Sequence, residues 1–162
     1  MIESKSNSLS YGDIAKFWSE LASEVQGIMV SELIPNLANI SALVYHQMPD
    51  LNWVGFYLFD GKKLVLGPFQ GKPACIYISL DKGVCGKAAT DLKTVIVPDV
   101  DKFPGHIICD SASRSEIVIP LKTSDGKIIG VFDIDSPSVN RFSESDKIGL
   151  EKIVEILSKT VS

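Results

Sequence analysis

SEIVIPLKTSDGKIIGVFDID, residues 115–135, is the stretch that decides the fold of this chain. Two runs rich in β-branched residues, Glu116–Lys122 and Lys127–Asp135, flank a Ser-Asp-Gly turn, and this pattern predicts two sequential strands. Successive side chains of a strand point to opposite faces, so Asp133 and Asp135 share one face, with side chains about 6.5–7 Å apart. The sequence therefore predicts a sheet that presents carboxylates on one of its faces.

Helical patterns lie on both sides of this sheet in the chain. Apolar residues recur at intervals of three and four over Asp13–Gln26 and Ser31–Met48, which predicts two amphipathic helices. Ser143 and Asp146 resemble a capping box, which predicts where the closing helix begins. The predicted apolar stripe of that helix comprises Ile148, Leu150, Ile153, Val154 and Leu157.

Short strands and loops fill the middle of the chain. Asn52–Phe59 and Lys63–Gly67, on either side of Asp60-Gly61, have the pattern of a β-hairpin. The segment 99–113 has no sustained periodicity and is predicted to be a long loop, and such loops are usually functional. The other predicted segments are a rigid connector over 68–73, a third strand over Ala74–Leu80, a loop with a short helix over 83–91, and a brief strand over Thr94–Val97.

Length and composition favour one globular domain over residues 1–162. A chain of this length with 45% hydrophobic and 22% charged residues can bury a core without disulfides. No repeat or linker divides it, and residues 1–10 are expected to form a disordered N-terminus. The element order predicts an α+β fold, with helices on one face of a mainly antiparallel sheet and loops over the other.

Charge and targeting signals exclude several classes of function. The net charge is -4 and no run of lysine or arginine occurs, so no nucleic acid or anionic membrane partner is expected. The N-terminus lacks the apolar region of a signal peptide, and no apolar run approaches the ~18–20 residues that span a bilayer. A cytoplasmic location is therefore expected. Thiols are kept reduced there, so the three cysteines are expected to be catalytic, redox-active or metal-binding.

The three cysteines, Cys75, Cys85 and Cys109, are candidates for thiol chemistry. A nucleophilic thiolate needs a pKa lowered from ~8.5 by a nearby cation or a helix N-terminus. Cys109 has His106 three residues before it and Arg114 five after it, and its segment could begin a helical turn. Cys85, at the start of the predicted helix, has a similar claim, whereas Cys75 is better suited to resolve an intermediate.

A zinc site is the rival interpretation of the same residues. Cys75, Cys85, Cys109 and His106 supply the ligand types of a Cys3His site. Structural zinc sites usually contain a short Cys-x2–4-Cys pair, and no two of these cysteines are that close in sequence. The spacing therefore favours thiol chemistry, and no metal or cofactor is predicted.

Three carboxylates, Glu116, Asp133 and Asp135, fall on the strands of the predicted core sheet. A solvated sheet face would explain them, but their apolar sequence neighbours favour a lined pocket. Clustered acids in a pocket repel, which raises a pKa until one carboxyl keeps its proton near neutrality. A protonated carboxyl beside a thiolate is a general acid beside a nucleophile. Together they could reduce a polar S=O bond, and the same acids could hold an ammonium group.

Six motifs that occur in order between Ser31 and Leu157 carry a family resemblance. They are NWVGFYL (52–58), LGPFQGKPAC (66–75), GVCG (83–86), GHIICD (105–110), SEIVIP (115–120) and IGVFDIDS (129–136). These stretches closely resemble those of the free methionine-R-sulfoxide reductases, enzymes built on a GAF domain. The resemblance implies a GAF-like fold with about six mainly antiparallel strands, helices from both chain ends on one face and a loop-covered pocket on the other.

The resemblance also implies roles for the thiols. Cys109 matches the family's nucleophile, which becomes a sulfenic acid as methionine leaves. Cys75 matches the main resolving cysteine, and Cys85 matches a third thiol that can form an alternative disulfide. Thioredoxin is the implied reductant. The resemblance does not decide which of the two resolves first, nor whether the chain forms a homodimer.

The remaining family positions concern the substrate, free L-methionine-R-sulfoxide. Glu116 and Asp135 are implied to lie nearest the sulfoxide oxygen, and Asp133 to orient the substrate. Trp53 and Tyr57 match residues that cradle the methyl-sulfur end, and their spacing of four puts both on one face of a strand. Two departures are Lys87, where threonine is more common, and Ile108, where alanine is usual. The alternative function is a non-catalytic GAF sensor that binds a small molecule or reports redox state.

Overall fold

A six-stranded antiparallel sheet organises the protein, as a computed structural model that describes residues 11–161 shows. Residues 1–10, predicted to be disordered, lie outside the described part. In chain order the elements are α1 (Tyr11–Ile28), α2 (Leu33–Gln47), β1 (Trp53–Phe59), β2 (Lys63–Gly71), β3 (Tyr77–Ser79), α3 (Gly83–Asp91), β4 (Val95–Val97), a 3₁₀ helix (Val100–Lys102), β5 (Ser115–Lys122), β6 (Ile128–Ser136) and α4 (Glu144–Ser158).

The strand order is β3-β2-β1-β6-β5-β4, and each neighbouring pair is antiparallel. The strands β5 and β6, predicted from residues 115–135, therefore lie inside the sheet rather than at its edge. Every β6 residue from Gly130 to Asp135 pairs with both β1 and β5. The predicted α+β architecture with a mainly antiparallel sheet is confirmed.

The two faces of the sheet carry two separate cores. On one face, α1, α2 and α4 pack with Phe56, Phe132 and Ile134 into a predominantly apolar layer. The rings of Phe56 and Phe132 stack at the centre of this layer, 4.4 Å between centroids. On the other face, α3 and the loop 98–114 cover a second cluster around Tyr57, Cys85 and Val131. Among residues 11–161, no helix combines the length and apolar character needed to cross a bilayer.

The strand β2 is longer than the sequence analysis predicted. Residues 68–71 were expected to form a rigid connector, but Phe69, Gln70 and Gly71 pair with β1. The register shifts between Gly55 and Tyr57, which leaves two β2 residues opposite one residue of β1. Pro68 lies in this bulge, one of the few places where a strand tolerates the missing N–H of proline.

The strand β3 is shorter than predicted, since Tyr77–Ser79 replaces the expected Ala74–Leu80. Cys75 precedes the strand rather than lying within it. Its carbonyl oxygen accepts a hydrogen bond from the Tyr57 hydroxyl at 2.8 Å, and its sulfur is bonded to Cys109. These contacts hold the segment on the pocket side, and its backbone bonds to β2 only from Ile76 onward, whose carbonyl accepts from the Leu66 amide.

The helix α4 begins as predicted but turns a different residue inward. Ser143 and Asp146 form the reciprocal capping box, and most of the predicted stripe is buried. Ile148, however, is 62% exposed, so its predicted place in the stripe is wrong. Gly149 faces α1 instead, because the Trp18 ring lies directly over it and a Cβ there would be 2.0 Å from ring carbon Cδ2.

The close approach of Gly149 to Trp18 predicts the effect of a methyl group at this position. Gly149→Ala is expected to lower the free energy of unfolding by about 1–3 kcal/mol, because the helices must separate to admit the side chain. Urea denaturation of the two proteins measures this difference. Gly27→Ala, in the same helical layer but with no atom within 4 Å of the added Cβ, is the control and is expected to be neutral or slightly stabilising. Equal stability of wild type and Gly149→Ala would contradict the packing described here.

Candidate active site

A row of side chains crosses the pocket face of the sheet from β1 to β5. Asp135 lies directly opposite Trp53 on one side and Glu116 on the other. Directly opposite residues of an antiparallel pair point to the same face, with Cβ atoms about 4.5–5.5 Å apart. Asp133, two residues from Asp135, points to the same face in the next row, as the alternation of residues 128–135 predicted. Three acids therefore share one small area of the sheet.

Two aromatic residues of β1, Trp53 and Tyr57, lie beside the acids and are called here the aromatic wall. The rings of Trp53 and Tyr57 stack with 5.9 Å between centroids, and both side chains are almost completely buried. Trp53 Nε1 donates to the carbonyl of Lys72, and the Tyr57 hydroxyl donates to that of Cys75. The two rings thus share one face, as their spacing predicted, and they fix the segment that carries Cys75.

The sulfur atoms of Cys75 and Cys109 form a disulfide, with 5.5 Å between the Cα atoms. This is the pairing that the family resemblance implied. Cys85 is the free cysteine and is buried on α3. With two of the four residues of the alternative Cys3His site bonded to each other, that set cannot bind zinc in this state.

A hydrogen-bonded turn, not a helix, follows Cys109. The Asn52 side chain donates to Asp110 Oδ2 at 3.1 Å and to Ser113 Oγ at 3.0 Å. Asp110 in turn accepts from the Ala112 amide through Oδ1 and from the Ser113 amide through its carbonyl. The prediction of a helical turn that would stabilise a Cys109 thiolate is therefore wrong. Asp110 and Ser113 instead tie the cysteine loop to the start of β1.

The surroundings of the three acids favour their protonated forms. Burial is the main cause that raises the pKa of Glu116 to about 8, and the charge of Asp135 adds to the rise. The pKa values of Asp133 and Asp135 are also raised well above the ordinary range, first by burial and then by the neighbouring carboxylates. The sequence analysis predicted that the pKa values of these acids rise, but it attributed the rise to repulsion between the acids, which is the smaller cause.

His106 contacts an acid rather than acting as a cation. Its Nε2 lies 3.4 Å from Glu116 Oε2, and burial lowers the His106 pKa. With the pKa of one partner lowered and that of the other raised, both groups are neutral near pH 7 and the contact is not an ion pair. Arg114 is exposed and does not line the pocket. The prediction that these two residues supply positive charge to Cys109 is therefore not supported.

Cys85 is held against the acids by close packing of α3. A Cβ on the next residue, Gly86, would lie 2.7 Å from the carbonyl oxygen of Ser79, so only glycine allows this approach to the end of β3. The Cys85 sulfur lies 4.0 Å from Glu116 Oε1. Burial, followed by the charges of Asp133 and Glu116, raises the Cys85 pKa well above its ordinary value. Cys85 is therefore a neutral thiol in this state.

One cavity brings together seven of the eight residues selected from the sequence. Cys75 does not line it but is bonded to Cys109, which does. Three polar residues of the lining, His106, Asp110 and Ser113, were not among those eight. Asp110 and Ser113 could have been found from the turn-forming pattern that follows Cys109. The lining comprises Trp53, Tyr57, Ala74, Ile78, Gly83, Val84, Cys85, His106, Ile107, Cys109, Asp110, Ser113, Glu116, Asp133 and Asp135.

A metal ion could be held by a different set of residues from the one considered in the sequence. Cys85, Glu116 and Asp133 each offer a ligand atom, and the three atoms lie within 4.8 Å of one another. Because burial raises the pKa of all three groups, an ion would have to displace protons from them. The neutral, protonated form of this cluster is what its surroundings favour.

The fold and the site define a class of protein. Residues 32–161 match the GAF domain family, which covers the sheet, the pocket and the closing helix. This confirms the fold that the six motifs implied.

Similarity to known proteins identifies the family within this class. Free methionine-R-sulfoxide reductase of Escherichia coli is 45% identical over 149 residues, 91% of this chain and 90% of that protein. The Saccharomyces cerevisiae enzyme of the same name is 48% identical over 132 residues, 77% of this chain and 73% of its own. The structure of the Neisseria meningitidis enzyme in complex with its substrate has a TM-score of 0.83 and 40% identity, covering 98% of this chain and 95% of that one. The chain belongs to the free methionine-R-sulfoxide reductases.

The protons on the buried acids predict how stability depends on pH. Glu116 ionises with a pKa near 4.5 when unfolded and about 8 when folded, so the folded protein holds a proton that the unfolded chain releases. The stability that this bound proton contributes is fully present below about pH 4.5 and is lost as the pH rises through about 8. The free energy of unfolding of the oxidised protein is expected to fall between about pH 5 and pH 8, by up to about 1.4 kcal/mol per pH unit for each such proton.

Urea denaturation of wild type and Glu116→Gln across this range measures the effect. The variant cannot ionise at this position and should show a shallower decline. Glu20→Gln, at an exposed surface glutamate, is the matched control and should follow wild type. A wild-type profile that is flat or rises with pH would show that the acids are charged in the folded protein.

Proposed function

We propose that the protein reduces free methionine-R-sulfoxide to methionine, with Cys109 as the nucleophile. The observation that carries this proposal is the position of Cys109 in the wall of the same cavity as three acids, of which Glu116 and Asp133 are buried and Asp135 is half-buried. A sulfoxide in that cavity would meet a sulfur nucleophile and a proton donor together. The same chemistry is named for the relatives at 45% and 48% identity.

The first step consumes one thiolate and one proton. In the reduced enzyme the Cys109 thiolate attacks the sulfoxide sulfur while Glu116, protonated because its pKa is about 8, donates a proton to the oxygen. The S–O bond to methionine then breaks, the hydroxyl passes to Cys109, and methionine leaves. The cysteine is oxidised to a sulfenic acid and the sulfoxide is reduced by two electrons.

The second step forms the disulfide that the structure contains. The Cys75 thiol attacks the sulfenic sulfur of Cys109, a sulfur–sulfur bond forms, and the hydroxyl leaves as water after taking up a proton. Cys75 is held for this reaction by the hydrogen bond from Tyr57 to its carbonyl. Cys85 lies near Glu116 and is the reserve thiol that could attack in place of Cys75.

The pocket suits a free amino acid rather than a peptide. Asp133 Oδ1 is buried without a hydrogen-bond partner among the described residues, and a substrate ammonium would satisfy it. Because an ammonium favours the ionised carboxylate, Asp133 would give up its proton when substrate binds. Trp53 and Tyr57 supply the apolar wall for the methyl-sulfur end, and Asp135 lies close enough to Glu116 to help hold the sulfoxide oxygen.

Turnover requires a reductant for the disulfide. We assign this role to thioredoxin, whose two thiols return the Cys75–Cys109 pair to the dithiol. The cytoplasm, where such proteins keep cysteines reduced, is the proposed compartment. The residues assigned to this chemistry all lie in one chain, whether or not two copies form a homodimer.

Single-turnover methionine release from the reduced protein tests the roles of the two cysteines. Cys109→Ser is expected to release no methionine, because the attacking sulfur is gone. Cys75→Ser is expected to release about one methionine per protein in a single turnover and then to turn over more slowly than wild type with thioredoxin as reductant, because only the reserve thiol Cys85 is left to resolve the sulfenic acid. The assay uses separated R and S isomers of free methionine sulfoxide, and only the R isomer should react.

Counting free thiols distinguishes this enzyme from a sensor. Wild type should lose two free thiols on reaction with the R isomer, whereas a GAF sensor would bind the ligand and lose none. Methionine release by Cys109→Ser would rule out the assigned nucleophile. An unreactive wild type would rule out the proposed function.

A further inference from the structure

Two exposed isoleucines flank the disulfide in the sequence. Ile76 directly follows Cys75 and is 59% exposed, and Ile108 directly precedes Cys109 and is 74% exposed. The disulfide sets the two cysteine Cα atoms 5.5 Å apart, and consecutive Cα atoms are about 3.8 Å apart. The Cα atoms of the two isoleucines are therefore at most about 13 Å from each other. The two side chains, called here the isoleucine patch, lie on the surface around one disulfide.

The fold does not use the isoleucine patch. Neither residue belongs to the two apolar clusters that hold the sheet faces. Both half-cystines beside it are partly exposed. The other exposed large apolar residues of the described part, apart from Tyr77, lie away from any cysteine in sequence: Val30, Ile34, Leu92, Val139 and Ile148.

The disulfide must be reduced between turnovers, and this reaction defines the chemistry of the partner that approaches this surface. A thiolate of the reductant attacks one sulfur, forms an intermolecular disulfide and releases the other cysteine as a thiolate. The second thiol of the reductant then attacks its own bonded sulfur, which releases the remaining cysteine and leaves the reductant as a disulfide. Two electrons pass from the reductant to the protein. A protein reductant must cover the surface around the bond for this attack, whereas a small dithiol need not.

We propose that the isoleucine patch, Ile76 and Ile108, is the docking surface for a dithiol protein of the thioredoxin class. This inference rests on the proposed function, because it concerns the step that returns the enzyme to its dithiol form. Exposed aliphatic side chains at the centre of a small contact supply binding energy by losing water. Their position on both sides of the bond would direct the partner to the sulfur atoms. The disulfide fixes this position only in the oxidised protein, which is the form that needs the reductant.

Ile108→Ala and Ile76→Ala test the proposal. Both variants remove exposed side chains that lie outside the two apolar clusters, so folding should be retained. Methionine production is measured with thioredoxin, its reductase and NADPH over a range of thioredoxin concentrations, and in parallel with dithiothreitol. We expect the KM for thioredoxin to rise about tenfold in each variant, with the dithiothreitol-driven rate within about twofold of wild type. Ile148→Ala, 62% exposed on α4, is the matched control and should behave as wild type.

The other outcomes overturn the docking proposal in distinct ways. An unchanged KM for thioredoxin in both variants would show that the patch makes no contact with the reductant. A loss of activity with dithiothreitol as large as the loss with thioredoxin would place the effect in the chemistry of the cysteine loop. The same rise in the KM for thioredoxin in Ile148→Ala would show a nonspecific effect. A change of mass in sedimentation would assign the patch to contact between copies of the chain. Absence of methionine from wild type with dithiothreitol would instead be failure of the proposed function.

Discussion

Burial of acids on a sheet face is the constraint on which the rest of this protein depends. Glu116 and Asp133 are each only 6% exposed. A buried carboxylate is costly without a cation or several hydrogen bonds, and the protein avoids the cost by keeping the protons on. The same surroundings keep Cys85, Tyr57 and His106 uncharged, because burial raises the pKa of the first two and lowers that of the third. The resting pocket is thus a set of neutral ionisable groups with protons available to donate.

The two faces of the sheet divide stability from chemistry. The face covered by α1, α2 and α4 is predominantly apolar and holds the stacked rings of Phe56 and Phe132. The opposite face carries the acids, the thiols and the aromatic wall. A strand alternates between these faces, so Phe132 and Asp133 serve different functions although they are neighbours in sequence. The fold tolerates a polar pocket because the core on the other face stabilises the sheet.

The sequence predicted those parts of the fold that depend on local pattern. The alternation of residues 128–135 placed Asp133 and Asp135 on one face, and the capping box placed the start of α4. It did not predict features that depend on distant partners. The extension of β2 depends on a bulge opposite Phe56, and the inward turn of Gly149 depends on Trp18 in another helix. Residue patterns carry no information about such contacts.

The site shows the same division between local and distant information. The motifs identified the acids and the thiols, and the resemblance implied the disulfide that the structure contains. His106 was misjudged because its sequence distance from Cys109 is short, whereas its contact is with Glu116 on β5. Asn52 was missed because nothing near it in sequence shows that it holds Asp110 and Ser113 across the fold.

The bond between Cys75 and Cys109 joins residues 34 positions apart, and the loop it closes contains β3, α3 and β4. Closing a loop of that length restricts the unfolded chain and contributes on the order of 3–4 kcal/mol to stability in the chain-entropy description. In a cell, the form that awaits substrate is therefore the more easily unfolded and proteolysed of the two. Conditions that keep the protein in its disulfide form would lengthen its lifetime. The abundance of the protein would then follow redox conditions without any change in its synthesis.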